Sequence, residues 1–147
     1  MKVHFCVRPV SPEDAEAIAQ LTATLGYSAE TVTVRNRIHS ILTSAENLFI
    51  VVVDDAQKPV GWLQAHASEI VESGYRVEIV GLVVAPQYRR LGAGRMLVNE
   101  AESWARKKHA NAIVVRSNVT RTESHSFYPA LGYIAAKTQH VYRKAIE

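Results

Sequence analysis

Apolar and polar residues alternate from the start of the chain: Val3, Phe5 and Val7 interleave with His4, Cys6 and Arg8, the two-residue period of a strand. Ser11-Pro12-Glu13-Asp14 then carries the marks of a helix start, with a capping hydroxyl, a proline suited to the first helical position and acids in the first turn. Across Pro12–Leu25 the side chains of Ile18, Leu21 and Leu25 share one helical face, and Gly26 ends the helix. Ser28 is placed to cap a second helix over Ala29–Thr43, which carries Val34, Ile38, Ile41 and Leu42 on one side. Leu48–Val53 is an unbroken apolar run that suits a buried strand. Asp54–Pro59 reads as a turn into a second strand, Val60–Ser68, and Ser73-Gly74 as a turn into a third, Tyr75–Val84. Cys6 is expected to be a small buried side chain, and Trp62 to be core.

The texture changes after Val84. Ala85-Pro86 closes the strand, Gly92 and Gly94 open a loop, and Leu97, Ala101, Trp104 and Ala105 give Arg95–His109 helical spacing. Ala112–Arg116 is a short strand, Thr122–Leu131 a helix ended by Gly132, and Tyr133–Ala136 and Gln139–Arg143 two closing strands. The order β-α-α-β-β-β-α-β-α-β-β predicts an α/β (α+β) fold: a mixed, mostly antiparallel sheet flanked by helices, one domain over residues 1–147.

Composition narrows the function classes. A chain of 147 residues can bury roughly two-thirds of its surface without staples. Apolar residues at 48% and charged residues at 21% fit a folded domain rather than a disordered one. No apolar run is long enough to span a membrane, and the first residues contain no secretory core, so a cytoplasmic location is expected. A single cysteine excludes an intramolecular disulfide and a cysteine-rich metal site, and the six histidines show no ligand spacing, so no metal is expected. His125 reads as a packing or capping residue of its helix. The net charge of +3 raises nucleic acid as a partner, but aromatics are only 7% and do not interleave with basic residues, which argues against it. Arg106, Lys107 and Lys108 complement the end of a helix dipole. Arg89, Arg90 and Arg95 differ, because they bracket two glycines.

That segment, Leu82-Val83-Val84-Ala85-Pro86-Gln87-Tyr88-Arg89-Arg90-Leu91-Gly92-Ala93-Gly94-Arg95, runs from strand through glycine loop to helix start. The first amides of a helix have no internal partners, and the positive end of its dipole attracts anions. Two positions without Cβ allow close approach, and three guanidinium groups add charge. A diphosphate is the natural occupant. Neither a Walker A sequence nor a complete dinucleotide fingerprint is present.

Arg89-Arg90-Leu91-Gly92-Ala93-Gly94 resembles the [Q/R]-x-x-G-x-[G/A] loop of the GCN5-related N-acetyltransferases (GNAT), which grips the pyrophosphate of acetyl-CoA. Arg121-Thr122-Glu123-Ser124-His125-Ser126-Phe127-Tyr128-Pro129-Ala130-Leu131-Gly132-Tyr133 resembles the later helix of the same superfamily, with Ser124 where alanine is common. The two motifs stand at the family's separation, and the element order fits from Val3 to Arg143. The resemblance implies an acetyl-CoA-dependent N-acetyltransferase in which a primary amine attacks the thioester directly. It implies that Leu82, Val83, Val84, Arg89, Arg90, Leu91, Gly92, Ala93, Gly94, Arg95, Asn118, Phe127 and Tyr128 contact the coenzyme.

Such a transfer must grip the carrier, hold its pantetheine arm, stabilise an oxyanion and handle protons. A strand edge at Leu82–Val84 suits the arm if the next strand splays away, and one of its N–H groups is the simplest oxyanion donor. A departing thiolate needs an acid; a phenol with a pKa of about 10 is matched to it, and the family places Tyr128 there. The attacking amine must be neutral. Glu78 lies four residues before Leu82, so a two-residue period turns it to the same side as Leu82 and Val84. It occupies the position resembling the catalytic glutamate of the family's histone-acetylating branch, where it acts as base, unless it only binds the ammonium or a water relay replaces it. Glu30, Glu69, Glu72 and Glu78 favour a cationic acceptor, either a small amine or a peptide amine. A homodimer through the closing strands is a further implication of the resemblance, and a non-catalytic acyl-CoA sensor is the alternative reading.

Overall fold

The computed structural model describes residues 3–117 and 121–147. Its contacts divide into two compact units, Met1–Val115 and Arg116–Glu147.

The first unit is built on a five-stranded sheet in the order β1-β2-β3-β4-β5: β1 (Cys6–Pro9), β2 (Asn47–Val53), β3 (Pro59–Ile70), β4 (Gly74–Val84) and β5 (Ile113–Val115). The first four pair antiparallel and β5 pairs parallel to β4. Asp54 makes the β2–β3 turn compact, since its carboxylate Oδ1 accepts the amides of Ala56 and Lys58 at 2.9 and 3.0 Å. Two helices, α1 (Ala15–Ala23) and α2 (Thr31–Ile41), follow β1, and α3 (Ala93–Lys107) follows β4.

Strand alternation divides the core into two layers. Phe49, Val51, Val53, Trp62 and Val83 cluster with Ala15, Ile18 and Leu21 of α1 and with Val34 and Ile38 of α2. Ile50, Val52, Leu63, Ala65, Val77 and Ile79 have the opposite phase and are also buried, and α3, with Leu97, Val98, Ala101 and Ala105 buried, packs on the strands. The buried aliphatic run of β2 thus serves both layers.

The start of the first helix carries the predicted signals, but its first turn, Pro12–Asp14, is a 3-10 turn. Ser11 Oγ accepts the Glu13 amide, and the Asp14 carboxylate accepts the Ser11 amide at 2.8 Å. Asp14 is buried and also receives two guanidinium N–H groups of Arg8, at 2.8 and 2.9 Å. Burial alone would raise the Asp14 carboxyl, but the bonds from Arg8 and Ser11 outweigh it and hold it below its ordinary value. For α2 the residue before the first turn is Glu30, not Ser28, and it makes no side-chain cap. Cys6 is exposed rather than buried: it shares the face of Val53, its partner in the ladder, but stands at the first position of the edge strand β1, where the covering layer does not reach it.

The second unit contains α4 (Thr122–Ala130). The two closing strands expected at Tyr133–Ala136 and Gln139–Arg143 do not form: residues 134–147 belong to no ladder and are exposed throughout. A strand exists only with a partner for its backbone groups, and none of the described residues supplies one. Ile134, Val141, Tyr142 and Ile146 are left bare. Among the described residues no helix is long and apolar enough to cross a membrane.

Candidate active site

β4 is the centre of the site. Its pairing with β5 covers only Val77↔Ile113, Glu78↔Val114 and Ile79↔Val115. From Val80 to Val84 the ladder to β3 continues while β5 has ended, so this edge of Leu82, Val83 and Val84 is unpaired by β5. An extended ligand with amide groups finds there the donors and acceptors of a missing strand.

The same stretch contains a β-bulge. Gln64 stands opposite Gly81 and Ala65 opposite Ile79, so Val80 is an extra residue on β4, and it is 45% exposed. Residues directly opposite in an antiparallel pair share a face. Leu82, opposite Leu63, faces the α3 layer, whereas Glu78, opposite His66, lies on the face of Trp62 and Val83. Two-residue alternation predicted that Glu78 would face with Leu82 and Val84; the extra residue reverses it. Glu78 therefore shares a face with Val83 and lies on the opposite face from Leu82 and Val84.

Gly81 has no room for a side chain. A Cβ there would lie 2.6 Å from two ring carbons of Trp62, which covers this part of the bulge and meets Phe49 edge-on at a centroid distance of 5.7 Å. Trp62 Nε1 is buried without a hydrogen-bond partner, so the indole is held by packing alone.

Beyond β4, a 3-10 turn (Pro86–Tyr88) leads into the glycine loop. Arg90 and Gly92 both have left-handed backbone, with φ of 64° and 94°. Glycine adopts this freely; arginine is strained in it. The first helical bond of α3 runs from the Met96 amide to the Gly92 carbonyl at 3.1 Å, so the amides of Ala93, Gly94 and Arg95 face the helix end without an intrahelical acceptor. Arg89, Arg90, Leu91, Gly92 and Arg95 are exposed. Left-handed turns, helix-end amides, helix dipole and three guanidinium groups give this loop of the first unit the chemistry to accept an anion.

In the second unit Tyr128 is half-buried on α4, edge-on to Phe127 at 5.0 Å and to Tyr133 at 5.8 Å. Burial pushes its phenol up to about 12, with a small opposing pull from Arg121. It therefore holds its proton at any physiological pH and is a donor. Asn118, expected to touch the coenzyme, lies outside the described residues. His125 is exposed. Sequence reasoning missed Tyr88. Its ring meets Phe5 at 6.1 Å and its hydroxyl donates to Asp54 Oδ2 at 3.3 Å. A tyrosine in a proline turn carries no local signal of so distant a contact.

Comparison with known proteins assigns the fold and the family. The pattern of the acetyltransferase (GNAT) family matches residues 14–133. An aminoglycoside N(6')-acetyltransferase type 1 of Acinetobacter baumannii is 25% identical over 113 residues, 74% of this chain and 77% of that protein. The crystal structure of aminoglycoside 6'-N-acetyltransferase AAC(6')-Ih from Acinetobacter baumannii is similar at a TM-score of 0.84 and 22% identity, covering 98% of this chain and 100% of that one. Aminoglycoside N-acetyltransferase AAC(6')-Iy in complex with CoA is similar at 0.86 and 19% identity, covering 99% and 98%. At these identities the two structures establish the fold, and the family match extends through most of the chain. The chain belongs to the acetyltransferase (GNAT) family and is an N-acetyltransferase.

Proposed function

We propose that this protein transfers the acetyl group of acetyl-CoA to a primary amine by direct attack on the thioester. The observation that carries the reading is the succession, inside one compact unit, of the β4 edge left unpaired by β5 and the anion cradle at Arg89–Arg95. The cradle amides and arginines hold the pyrophosphate. The Leu82–Val84 edge pairs with the amides of the pantetheine arm, and a backbone N–H beside the bulge receives the oxyanion. Phe127 and Asn118 add coenzyme contacts. Glu78 holds the incoming ammonium and, directly or through a water, takes its proton.

Tyr128 protonates the departing thiolate. A phenol near 12 is a weaker acid than a thiol at about 8.5 in water. The apolar surroundings that raise the phenol raise the thiol as well, which narrows that gap. Titration calorimetry with acetyl-CoA tests the reading; no binding at millimolar coenzyme overturns it. A thiol-release assay over a panel of amines separates an enzyme from a sensor, which would bind the coenzyme without turnover.

A small-molecule amine is the acceptor class favoured, by likeness to aminoglycoside acetyltransferases and by Glu30, Glu69, Glu72 and Glu78. We place the protein in the cytoplasm, where an exposed lone thiol such as Cys6 stays reduced. The whole chain acts as one functional domain, a reading supported by a family match over residues 14–133 that begins in the first unit and runs into the second. The bare apolar residues of 134–147 favour a homodimer in which a second copy pairs with this segment. Sedimentation of the intact chain distinguishes dimer from monomer.

A further inference from the structure

The cradle at Arg89–Arg95 is built from an exposed loop, yet its amides must be held in place before the coenzyme arrives. From Pro86 to Gly92 every residue is exposed except Tyr88. Backbone bonds in this stretch are local, from Tyr88 to the Ala85 carbonyl at 2.9 Å and from Arg89 to that of Pro86 at 3.3 Å. Arg89 Nε reaches the Val84 carbonyl at 3.3 Å, again its own neighbourhood. Among the described residues, it is the Tyr88 side chain that ties the loop to distant parts of the fold. The Tyr88 ring packs against the α1–α2 core layer and edge-on to Phe5, before β1. Its hydroxyl donates to Asp54, thirty-four residues back in the β2–β3 turn.

The Asp54 end is itself fixed. Its Oδ1 accepts two amides of its own turn, and its backbone amide donates to the Lys58 carbonyl at 3.0 Å, so Oδ2 is presented to Tyr88 in one orientation. Burial and the Asp54 carboxylate both raise the Tyr88 phenol, which keeps the hydroxyl a donor. The strained Arg90 follows two residues later, and a left-handed arginine persists only where its surroundings over-determine it.

We infer that Tyr88 and Asp54 are positioning residues for the donor substrate: the Asp54–Tyr88 tether sets the place of the Arg89–Arg95 amides and thereby the affinity for the diphosphate of the coenzyme. The inference rests on the reading of that loop as the diphosphate cradle. Preorganised donors bind an anion more tightly than donors that must first be ordered. The tether acts on the loop rather than on Glu78 or Tyr128, so its loss weakens donor binding and spares the chemical step.

Tyr88→Phe keeps the ring and deletes the hydroxyl; Tyr88→Leu deletes the ring anchor as well. Calorimetry with acetyl-CoA is expected to show the Kd rising about threefold for the first and about tenfold or more for the second. At saturating coenzyme kcat falls by less than threefold, and the acceptor KM does not move. Independently of any coenzyme, amide hydrogen exchange across Arg89–Arg95 is expected to quicken in Tyr88→Leu while exchange in β2 and β3 is unchanged. Affinities within twofold of the unsubstituted chain for both variants overturn the inference. So does unaltered loop exchange, or a lowered Tm with an unchanged Kd, which would make the contact merely structural. If the unsubstituted chain itself fails to bind acetyl-CoA, the coenzyme reading falls instead, and the exchange measurement still decides whether the tether orders the loop.

Discussion

Gly81→Ala is the sharpest probe of the bulge. The added methyl carbon would stand 2.6 Å from two carbons of the Trp62 ring, whereas carbon atoms in contact settle about 3.5–4.0 Å apart. The ring has nowhere to go: it is 8% exposed, stacked edge-on against Phe49 and enclosed by the α1–α2 layer. Forced overpacking of this kind costs about 1–3 kcal/mol. The Gly81 backbone lies outside the left-handed region, so alanine also gains about 0.4–1 kcal/mol by restricting the unfolded chain. The net expectation is a loss of about 1–2 kcal/mol, or roughly 2–8 °C in Tm for a chain of this size. Trp62→Leu on its own leaves a cavity and costs about 3 kcal/mol. In that background the methyl group enters the vacated space, so Gly81→Ala becomes neutral or mildly stabilising. Urea denaturation of the four proteins, with m held constant, gives the coupling energy, expected to be at least 1 kcal/mol in favour of the double variant. If Gly81→Ala costs the same in both backgrounds to within about 0.5 kcal/mol, the two residues are not in contact and the account of the bulge is wrong.

Tyr128→Phe is expected to lower kcat about 10²-fold or more with the coenzyme KM unchanged; equal turnover would remove Tyr128 from the chemistry. Of the six tyrosines, Tyr128 should ionise late: tyrosinate absorbance at high pH should show a fraction titrating near 12 that Tyr128→Phe abolishes. Its folded-state pKa is raised above the unfolded value, so its contribution to stability is present below pH about 10 and is lost as pH rises through about 12. Asp14 behaves in the opposite sense. Its folded pKa is lowered, so the stability it confers is present above the unfolded value of 3.8 and fades as pH falls through the folded one. Arg8→Ala should flatten that acid limb in a pH series of denaturation curves, at a cost of about 2 kcal/mol at neutral pH for leaving a buried carboxylate with only the Ser11 amide. Arg90→Gly should be more stable than Arg90→Ala by about 0.5–1 kcal/mol, because relief of the left-handed strain exceeds the added freedom of the unfolded glycine.

Much of this was legible in the residues because the signals were local. Ser11-Pro12 announced a helix, Asp54–Pro59 a turn, and Gly92 between arginines an anion loop, each within a few positions of its consequence. The misreadings share a different cause. In Glu78-Ile79-Val80-Gly81-Leu82-Val83-Val84 nearly every residue is apolar, so no polar position marks where the phase of alternation slips, and the bulge is invisible. The final segment has strand composition, but strand formation depends on a partner that composition does not reveal. Ser28 lost to Glu30 as the start of α2 because helix packing, through buried Val34 and Ile38, overrides a capping preference of about 1 kcal/mol. Tyr88 went unread because its partner is thirty-four residues away.

In β4 the number of residues carries information that their identities do not. A substitution at the outward-facing Val80 should pass almost unnoticed, since its side chain is 45% exposed and supports neither layer. Deleting the same residue would set Ile79 beside Gly81 with the two still opposite Ala65 and Gln64, so Val77, Glu78 and Ile79 would keep their faces and only the bulge would go. Drawing Val80 into the ladder instead would drive Glu78 under α3 and expel Val77 and Ile79 from their layer. Losing the extra residue and pairing it thus differ by the inversion of a whole segment, a boundary that point substitutions along the strand would pass over in silence.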